Sequence, residues 1–257
     1  MNLAIEKKRV IVTAGASGIG LAIAEAFAAE GAAVHVCDIN ATAIDSVNEA
    51  GRFAGLTCDV GDSEAVRAYM ASATTALGGL DVLVNNAGIA GPTGAAEDLD
   101  LAEWKRTVDI NLVSMFNVTQ HAIPHLKRTG AGAILNLSSA AGRYGLPMRT
   151  PYSASKWGVV GLTKTLAMEL GASSITVNAI MPGAVDGPRL QAIVRSKAAE
   201  TGVKPQDIER QILAAMSVKK LIQPSEIGAL AVFLASSLAT SISGQAVGID
   251  GDLQCMV

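Results

Sequence analysis

The chain has 257 residues, of which 50% are hydrophobic, and its formal net charge is −3 at pH 7. This charge excludes the broad basic surface of a nucleic-acid-binding protein, and the length is enough to bury one large core. No run of about 18 apolar residues is present, and residues 1–8 lack the apolar centre of a signal peptide. We therefore expect a cytoplasmic protein with no membrane partner.

The first predicted elements form a strand, a glycine-rich turn and a helix. The β-branched run Arg9–Thr13 predicts a buried strand, and an alanine-rich helix follows from Leu21 to Gly31. Between them lies the turn Ala14–Gly20, whose glycines let the backbone approach a pyrophosphate. Because the helix N-terminus offers unpaired N–H groups to such an anion, this order predicts a dinucleotide site.

The second predicted strand, Ala33–Cys37, ends at Asp38, eighteen residues beyond Gly20. A carboxylate at that place can accept hydrogen bonds from both hydroxyls of an adenosine ribose, and it would repel the 2′-phosphate of NADP. Neither Ile39 nor Ser17 supplies a basic side chain that would favour NADP. The sequence therefore predicts NAD as the cofactor, although Asp38 could instead cap a helix.

The rest of the chain alternates strands and helices without a linker or a repeat. Strands are predicted near Phe53–Cys58, Asp81–Asn85, Ala133–Leu137, Thr176–Ile180 and Ala246–Ile249. Helices are predicted near Asp62–Leu77, Leu101–His125, Tyr152–Leu170 and Pro224–Leu234. Such alternation indicates one α/β domain over residues 1–257, with a doubly wound parallel sheet of about seven strands. Ligands then bind beyond the carboxyl ends of the strands.

The alternation breaks between residues 184 and 223. Two short amphipathic helices are predicted there, Pro188–Thr201 and Pro205–Met216. The insertion is longer than a minimal connection needs, which indicates a helical lid over the substrate. The alternative is an ordinary pair of surface helices.

The three cysteines do not form a ligand pattern. Cys37, Cys58 and Cys255 are an odd number and are not spaced as metal ligands are. They are typical of small apolar side chains in a reducing compartment. The sequence therefore predicts no metal site.

Tyr152 and Lys156 are four residues apart and therefore share one face of the predicted helix. A free tyrosine has a pKa of about 10, and bringing it near 7 takes roughly 4 kcal/mol. One cation about 4 Å away, at an effective dielectric near 20, supplies about that much. The spacing indicates that Lys156 can turn Tyr152 into an acid/base, and Ser139 lies thirteen residues before that tyrosine.

The motifs taken together resemble the classical short-chain dehydrogenases/reductases (SDR) from about Arg9 to Gly251. Thr13, Gly18 and Gly20 match the family's T-G-x-x-x-G-x-G, with Ala14 at its first glycine. The other matches, in chain order, are Asn85-Asn86-Ala87-Gly88, Asn111, Ser139, Tyr152, Lys156 and Pro182-Gly183. The resemblance implies a single Rossmann domain.

The resemblance also implies the catalytic roles. Tyr152 would be the general acid/base, and Lys156 would lower its pKa and bind the nicotinamide ribose. Ser139 would donate to the substrate oxygen, and Asn111 would hold a water that links Lys156 to solvent. Two alternatives stay open, since Asn111 could stabilise a helix kink and Ser138 could face the site in place of Ser139.

Further contacts are implied along the cofactor and the substrate. Besides Tyr152 and Lys156, the expected cofactor contacts are Gly15, Ser17, Gly18, Ile19, Gly20, Asp38, Asp59, Val60, Asn86, Ala87, Gly88, Pro182, Gly183 and Val185. Substrate contacts are expected at Ser139, Ala141, Arg149 and Tyr152. Gly187 stands where the family often has a threonine that meets the carboxamide, so backbone groups near Ala184 and Val185 would take its place.

The expected function is NAD-dependent transfer of hydride between nicotinamide and a secondary alcohol or ketone. The substrate would be small and polar, with Arg149 available for an anionic group, unless Arg149 is a solvated loop residue. The alternatives are a 3-oxoacyl reductase and a non-catalytic NAD-binding sensor or scaffold. A homotetramer is expected, because the predicted helix Tyr152–Leu170 carries Val159, Leu162, Leu166 and Leu170, a face that family members pair with its copy.

Overall fold

A computed structural model describes residues 3–256, with the side chain of residue 200 outside that description. Residues 1, 2 and 257 of the predicted domain 1–257 lie outside the described residues. The described residues form a seven-stranded parallel sheet in the order β3-β2-β1-β4-β5-β6-β7. The predicted doubly wound α/β domain is confirmed.

The strands begin and end close to their predicted bounds. They are β1 Arg9–Thr13, β2 Ala33–Asp38, β3 Ala54–Thr57, β4 Val82–Asn85, β5 Gly132–Leu137, β6 Ile175–Pro182 and β7 Ala246–Ile249. Helices of the described part are α1 Gly18–Ala29, α2 Ala41–Ala50, α3 Ser63–Leu77, α4 Leu101–Val108, α5 Ser114–Thr129, α6 Thr150–Leu170, α7 Pro188–Thr201, α8 Pro205–Ala214 and α9 Pro224–Leu234.

Two helical predictions need correction. The sequence did not indicate α2, which buries only Ile44 and Val47 and so has a weak apolar pattern. The long helix predicted over Leu101–His125 is two helices, α4 and α5, joined by a π-helical turn at Asp109–Val113. A π turn keeps the chain helical, so composition alone does not reveal it, and such turns are frequent at functional sites.

The core lies on both faces of the sheet. Successive residues of β1 alternate between the two layers: Val10 and Val12 pack under α1, α2 and α9, whereas Ile11 packs under α3, α5 and α6. All three side chains are fully buried. A continuous apolar strand is what a parallel sheet covered on both faces requires.

The apolar face of α6 was assigned wrongly. Val159, Leu166 and Leu170 are buried in this chain's own core, with Leu162 packed beside them, so they are not available to a partner. They recur at intervals of three and four from Tyr152 and Lys156, which places apolar and polar residues on the same face. Trp157 and Met168, 52% and 86% exposed, lie on the outer side instead.

The connection that carries α7 and α8 is tied at both ends. Val185 pairs with Ile222 in an isolated parallel bridge, which joins the start of the connection to its end. Met216 pairs with Leu253 in an antiparallel bridge, so the C-terminal residues lie against the segment after α8. The Tyr144 hydroxyl also donates to the Leu253 carbonyl at 2.7 Å. The two helices between these ties are held less closely by the rest of the domain.

No helix within residues 3–256 is long and apolar enough to cross a membrane.

Candidate active site

The glycine-rich turn after β1 has the shape that a pyrophosphate needs. Gly18 has a φ of +53°, and a Cβ placed there would meet no atom within 4 Å, so the backbone is open on that side. A Cβ on Gly20 would lie 2.1 Å from the Ala14 carbonyl oxygen, so α1 can begin this close to the turn only with glycine. Ala14 itself is left-handed, with a φ of 48°, where the family pattern has glycine. An alanine in this conformation is strained by about 1–2 kcal/mol.

Two further contacts brace the turn. A Cβ on Gly15 would lie 2.7 Å from the Val36 side chain, so this glycine allows the turn to pack on β2. The Asn86 side chain donates to the carbonyls of Thr13 and Ala14 at 3.0 Å each. The Thr13 hydroxyl in turn accepts from the Asn86 N–H at 2.9 Å. The carboxyl ends of β1, β2 and β4 are thus locked together beside the open side of Gly18.

Asp38 lies at the end of β2 and is buried. Its carboxylate accepts from the Ala16 N–H at 3.3 Å and from the Asn40 N–H at 3.0 Å. The cap of α2 is Asn40, whose side chain accepts from the Ala43 N–H, so the helix-cap alternative for Asp38 is wrong. The carboxylate faces the glycine turn, where a ribose diol would lie.

A cavity of about 460 Å³ lies between the loop after β3 and the helix α4 with its π turn. Its lining residues are Asp59, Gly61, Asp62, Ala102, Lys105, Arg106, Asp109 and Ile110. Asp59, an expected cofactor contact, belongs to this wall, and its carboxylate accepts from the Gly61 N–H at 2.8 Å. Ile110 comes from the π turn, which the sequence did not indicate.

Tyr152 and Lys156 lie together in the first turns of α6. The Lys156 ammonium is 5.8 Å from the centroid of the Tyr152 ring. It donates to the Leu137 carbonyl at 2.7 Å and is buried, with 4% of the residue exposed. Burial lowers the pKa of Lys156, against the opposing effect of Tyr152. The expected pair is therefore in place, with the lysine fixed to the end of β5.

The pKa of Tyr152 lies below its ordinary value. Burial acts to raise it, but the positive charges of Lys156, Arg189 and Arg149 act in the opposite direction. A hydrogen-bonding contact from the Ser139 hydroxyl lowers it further. The three cations and Ser139 each favour the phenolate. The phenol can therefore release and take up a proton nearer neutral pH than a free tyrosine does.

The structure separates the two candidate serines. The Ser138 hydroxyl donates to the Lys156 backbone carbonyl at 2.8 Å and is buried. The Ser139 hydroxyl accepts from the Ala141 N–H at 3.1 Å, and it acts to lower the pKa of Tyr152. Ser139 therefore faces the reacting group and Ser138 supports the helix.

Ala141, an expected substrate contact, has no exposed surface. Its carbonyl accepts from the Ser153 hydroxyl at 3.1 Å, and its N–H donates to Ser139. A residue without free surface cannot line the pocket. We therefore retain Ala141 as a support of Ser139 and withdraw it as a substrate contact.

Asn111 is fully buried in the π turn. Its amide oxygen accepts from the Ile89 N–H at 2.7 Å, and its amide nitrogen donates to the Ile89 carbonyl and to the Ser155 hydroxyl at 3.0 and 3.1 Å. Both amide protons are thus committed within the protein. This geometry matches the alternative role, in which Asn111 stabilises the break between α4 and α5.

Arg149 immediately precedes α6 and is half-buried. Its guanidinium carbon lies 5.5 Å from the centroid of the Tyr152 ring, and its Nη2 donates to the Ala90 carbonyl at 2.8 Å. Its Nε is buried and has no hydrogen-bond partner among the described residues. Burial lowers the pKa of Arg149, with Tyr152 opposing. The alternative of a solvated loop arginine is therefore wrong.

The comparisons with known proteins agree with this geometry. A family model described as "Enoyl-(Acyl carrier protein) reductase" matches residues 13–253. The chain is a classical short-chain dehydrogenase/reductase. It is 37% identical to cis-4-hydroxycyclohexanecarboxylate dehydrogenase of Sinomonas cyclohexanicum, over 98% of each chain. It is 36% identical to a 3-oxoacyl-[acyl-carrier-protein] reductase of Thermotoga maritima, over 97% of this chain and 98% of that one.

Two further relatives support the same family. The chain is 35% identical to a D-beta-hydroxybutyrate dehydrogenase of Rhizobium meliloti, over 95% of this chain and 97% of that one. Its fold is similar to that of an actinorhodin polyketide ketoreductase variant solved with NADPH, with a TM-score of 0.91 and 34% identity over 96% and 97% of the two chains. These relatives are oxidoreductases that act on CH–OH groups or the matching ketones.

The SDR family binds a nicotinamide cofactor, and the residues of this chain fit one. The backbone is open at Gly18 for a pyrophosphate, and the Asp38 carboxylate faces the same turn. At the other end, Gly88 lies close to the catalytic lysine: a Cβ there would be 3.5 Å from the Lys156 ammonium. The expected contacts thus line one edge of the sheet from Gly18 to Lys156.

Arg189 is a residue beside the site of this SDR that sequence reasoning missed. It lies in the first turn of α7 and is exposed, and its Nη2 donates to the Gly88 carbonyl at 3.3 Å. The available signal was its place two residues after Gly187, in the segment expected to cover the substrate. Nothing in the local pattern separates it from an ordinary helical arginine.

Proposed function

We propose that the protein is an NAD-dependent dehydrogenase that acts on the secondary alcohol, or the matching ketone, of a small polar substrate carrying an anionic group. The observation that carries the proposal is the half-buried guanidinium of Arg149, 5.5 Å from the Tyr152 ring. A half-buried cation that lies beside the acid/base and has no carboxylate partner is best compensated by an anionic group of the substrate.

The residues of the site divide the proton chemistry among them. When bound, the cofactor supplies or accepts the hydride. In the oxidation direction, Tyr152 takes the proton from the alcohol oxygen, and Ser139 donates to that same oxygen as it becomes a carbonyl. Lys156 holds Tyr152 in its ionised form and binds the nicotinamide ribose. Asn111 holds the turn at Ile89 in place. Because its amide N–H groups already donate within the protein, a water in the proton path would have to hydrogen-bond to other atoms.

The preference for NAD rests on Asp38. A buried carboxylate at the end of β2 accepts hydrogen bonds from a ribose diol and repels a 2′-phosphate. The remaining expected contacts would follow the cofactor along the edge of the sheet. They are residues 15–19 on the glycine turn, Asp59 and Val60, and Pro182, Gly183 and Val185. For the carboxamide, Val185 is the better placed backbone contact, because the Ala184 carbonyl already accepts from the Ile222 N–H at 2.9 Å.

The names of two relatives support an anionic substrate. One acts on cis-4-hydroxycyclohexanecarboxylate and another on D-beta-hydroxybutyrate, and both compounds place a carboxylate some bonds away from a carbinol carbon. In this chain Arg149 and Tyr152 could meet the two ends of such a molecule. The α7–α8 segment, residues 184–223, would act as the lid over it.

The proposed assembly is a cytoplasmic homotetramer. The outer face of α6 exposes Trp157 and Met168, and α5 exposes Phe116. Large apolar side chains on neighbouring helices favour burial against another copy of the chain. Sedimentation at micromolar concentration measures this directly.

A 3-oxoacyl reductase is the second candidate, since both the family model's description and the Thermotoga maritima relative carry acyl-carrier-protein substrates in their names. A substrate panel separates the two functions. It should contain cis-4-hydroxycyclohexanecarboxylate, 3-hydroxybutyrate, a neutral polyol and a 3-oxoacyl thioester, each assayed with both cofactors. We expect NADH formation from a hydroxy acid. Fastest turnover of the thioester with NADPH would favour the second candidate, and binding of NAD without any turnover would favour a sensor or scaffold.

A further inference from the structure

The contact of Arg189 with Gly88 brings a second arginine to the catalytic cluster. Gly88 lies between Asn111 and Lys156: a Cβ there would be 3.1 Å from the Asn111 amide oxygen and 3.5 Å from the Lys156 ammonium. Arg189 reaches the carbonyl of this same residue from α7. It therefore comes from a different element than Tyr152 and Lys156, which lie on α6.

The charge of Arg189 is felt by the whole cluster. Beside the effect of burial, it acts to lower the pKa of Tyr152, of Lys156 and of Arg149. Arg195, six residues further along the same helix, contributes to none of these shifts. Of these two arginines of α7, Arg189 is thus the one directed at the site.

The two arginines at the site lack a carboxylate counter-ion among the described residues. Neither Arg149 nor Arg189 forms an ion pair with a carboxylate among the side chains that the structure describes. Each is held instead by a neutral backbone carbonyl, Ala90 for Arg149 and Gly88 for Arg189. Arg189 acts to lower the pKa of Arg149, and such like charges repel each other unless an anion lies between them.

We propose that Arg189 is a specificity-determining residue that forms, with Arg149, a two-arginine clamp for the carboxylate of the substrate. Arg149 is the fixed half, since it is packed beside Tyr152 and tied to Ala90. Arg189 is the half that we assign as mobile, because it is exposed, makes a bond of 3.3 Å to Gly88 and follows Gly187, whose φ of 150° is one that glycine favours. On binding, Arg189 exchanges its long bond to Gly88 for a charge-assisted bond to the carboxylate and draws α7 over the site. This inference rests on the proposed function, in that it assumes an anionic substrate.

Binding of a dead-end acid tests the clamp without relying on turnover. Calorimetry would measure the Kd of cyclohexanecarboxylate and of butyrate for the enzyme saturated with NADH, with the neutral amide of each acid as the matched ligand. The variants are Arg189→Ala, Arg189→Lys, Arg149→Ala and, as the control on the same helix, Arg195→Ala. Hydrogen exchange of α7 would report closure.

We expect Arg189→Ala to weaken the better of the two acids about tenfold, with less than a twofold effect on its amide and on NADH. Arg189→Lys should retain part of the affinity, and Arg195→Ala should behave as wild type. The acid should slow hydrogen exchange in α7 of the wild type and not in Arg189→Ala.

Three results would overturn the clamp, and they differ in what they say of the proposed function. If Arg149→Ala loses the preference for acid over amide while Arg189→Ala keeps it, the anionic substrate stands and Arg189 has no part in it. If Arg189→Ala weakens NADH as much as the acid, Arg189 is a cofactor contact. If the wild type binds neither acid better than its amide, the anionic substrate fails as well.

Discussion

Ser138 and Lys156 are joined by a hydrogen bond of 2.8 Å from the serine hydroxyl to the lysine backbone carbonyl. The Lys156 ammonium in turn donates to the Leu137 carbonyl at 2.7 Å. The end of β5 and the first turns of α6 are therefore tied twice. Because Ser139 follows Ser138 directly, these ties set the position of Ser139 relative to Tyr152.

This relationship predicts that Ser138→Ala lowers kcat about fivefold, since one buried hydrogen bond contributes about 1 kcal/mol to the alignment. KM should change little, because the substrate does not touch Ser138. The comparison variant is Ser139→Ala, which removes the donor to the reacting oxygen and should cost about 100-fold or more in kcat. Equal losses in the two variants would mean that Ser138 does more than position its neighbour.

Tyr152→Phe should abolish turnover and leave NADH binding nearly unchanged, because the ring remains and only the proton carrier is lost. Steady-state assays and a fluorescence titration with NADH measure the two properties separately. A phenylalanine variant that keeps a tenth of the activity would remove Tyr152 from the acid/base role.

The pH dependence of alcohol oxidation should follow the lowered pKa of Tyr152. Oxidation needs the phenolate, so the rate is fully present above this pKa and is lost as the pH falls through it. The groups that face the phenol are Lys156 on α6, Arg149 before α6, Arg189 on α7 and Ser139 after β5. Removing a cation raises the pKa, so Arg149→Ala should move the rising limb of kcat to higher pH. A limb that stays in place would mean that Arg149 does not act on the phenol.

NAD should be preferred over NADP by at least about 100-fold in kcat/KM, or about 2.7 kcal/mol. Asp38→Ser should narrow this gap, because it removes the carboxylate that faces the 2′-phosphate. The control is Asp45→Ser on α2, a nearby carboxylate that lies outside the site. Comparable rates with both cofactors in the wild type would show that the buried Asp38 carboxylate does not select NAD over NADP.

Ala14→Gly should stabilise the protein. Glycine relieves a left-handed strain of about 1–2 kcal/mol and costs roughly 0.4–1 kcal/mol in added freedom of the unfolded chain. The net gain of about 0.5–1 kcal/mol corresponds to a rise in Tm of roughly 1–3 °C. Gly20→Ala is the opposite case and should destabilise strongly, since its Cβ would lie 2.1 Å from the Ala14 carbonyl. An unchanged Tm for Ala14→Gly would mean that the strain is relieved elsewhere.

The elements that could be predicted from the sequence are those that interactions between near neighbours in the chain control. The strand β1, the glycine turn and Asp38 lie within 30 residues of one another, and apolar runs and glycines fix such elements almost alone. The π turn at Asp109–Val113 could not be predicted in this way, because it depends on Asn111 bridging to Ile89 and Ser155.

Long-range contacts account for the remaining differences. Arg189 and Gly88 are 101 residues apart in the chain, and only the folded sheet brings them together. The apolar face of α6 was clear from its spacing, but the partner it packs against was not. Periodicity identifies a buried face and does not say whether the chain's own sheet or another copy covers it.

Because Met216 pairs with Leu253, residues 184–222 and 250–254 should be exchanged together when segments are swapped between related enzymes. A chimera that takes α7 and α8 from a relative with another substrate must also take that relative's last residues, since otherwise the grafted helices lose the bridge that holds their end. Directed evolution of this pocket has the same constraint. A library confined to residues 184–222 leaves the C-terminal residues that pair with this segment unchanged, so both segments should be varied together.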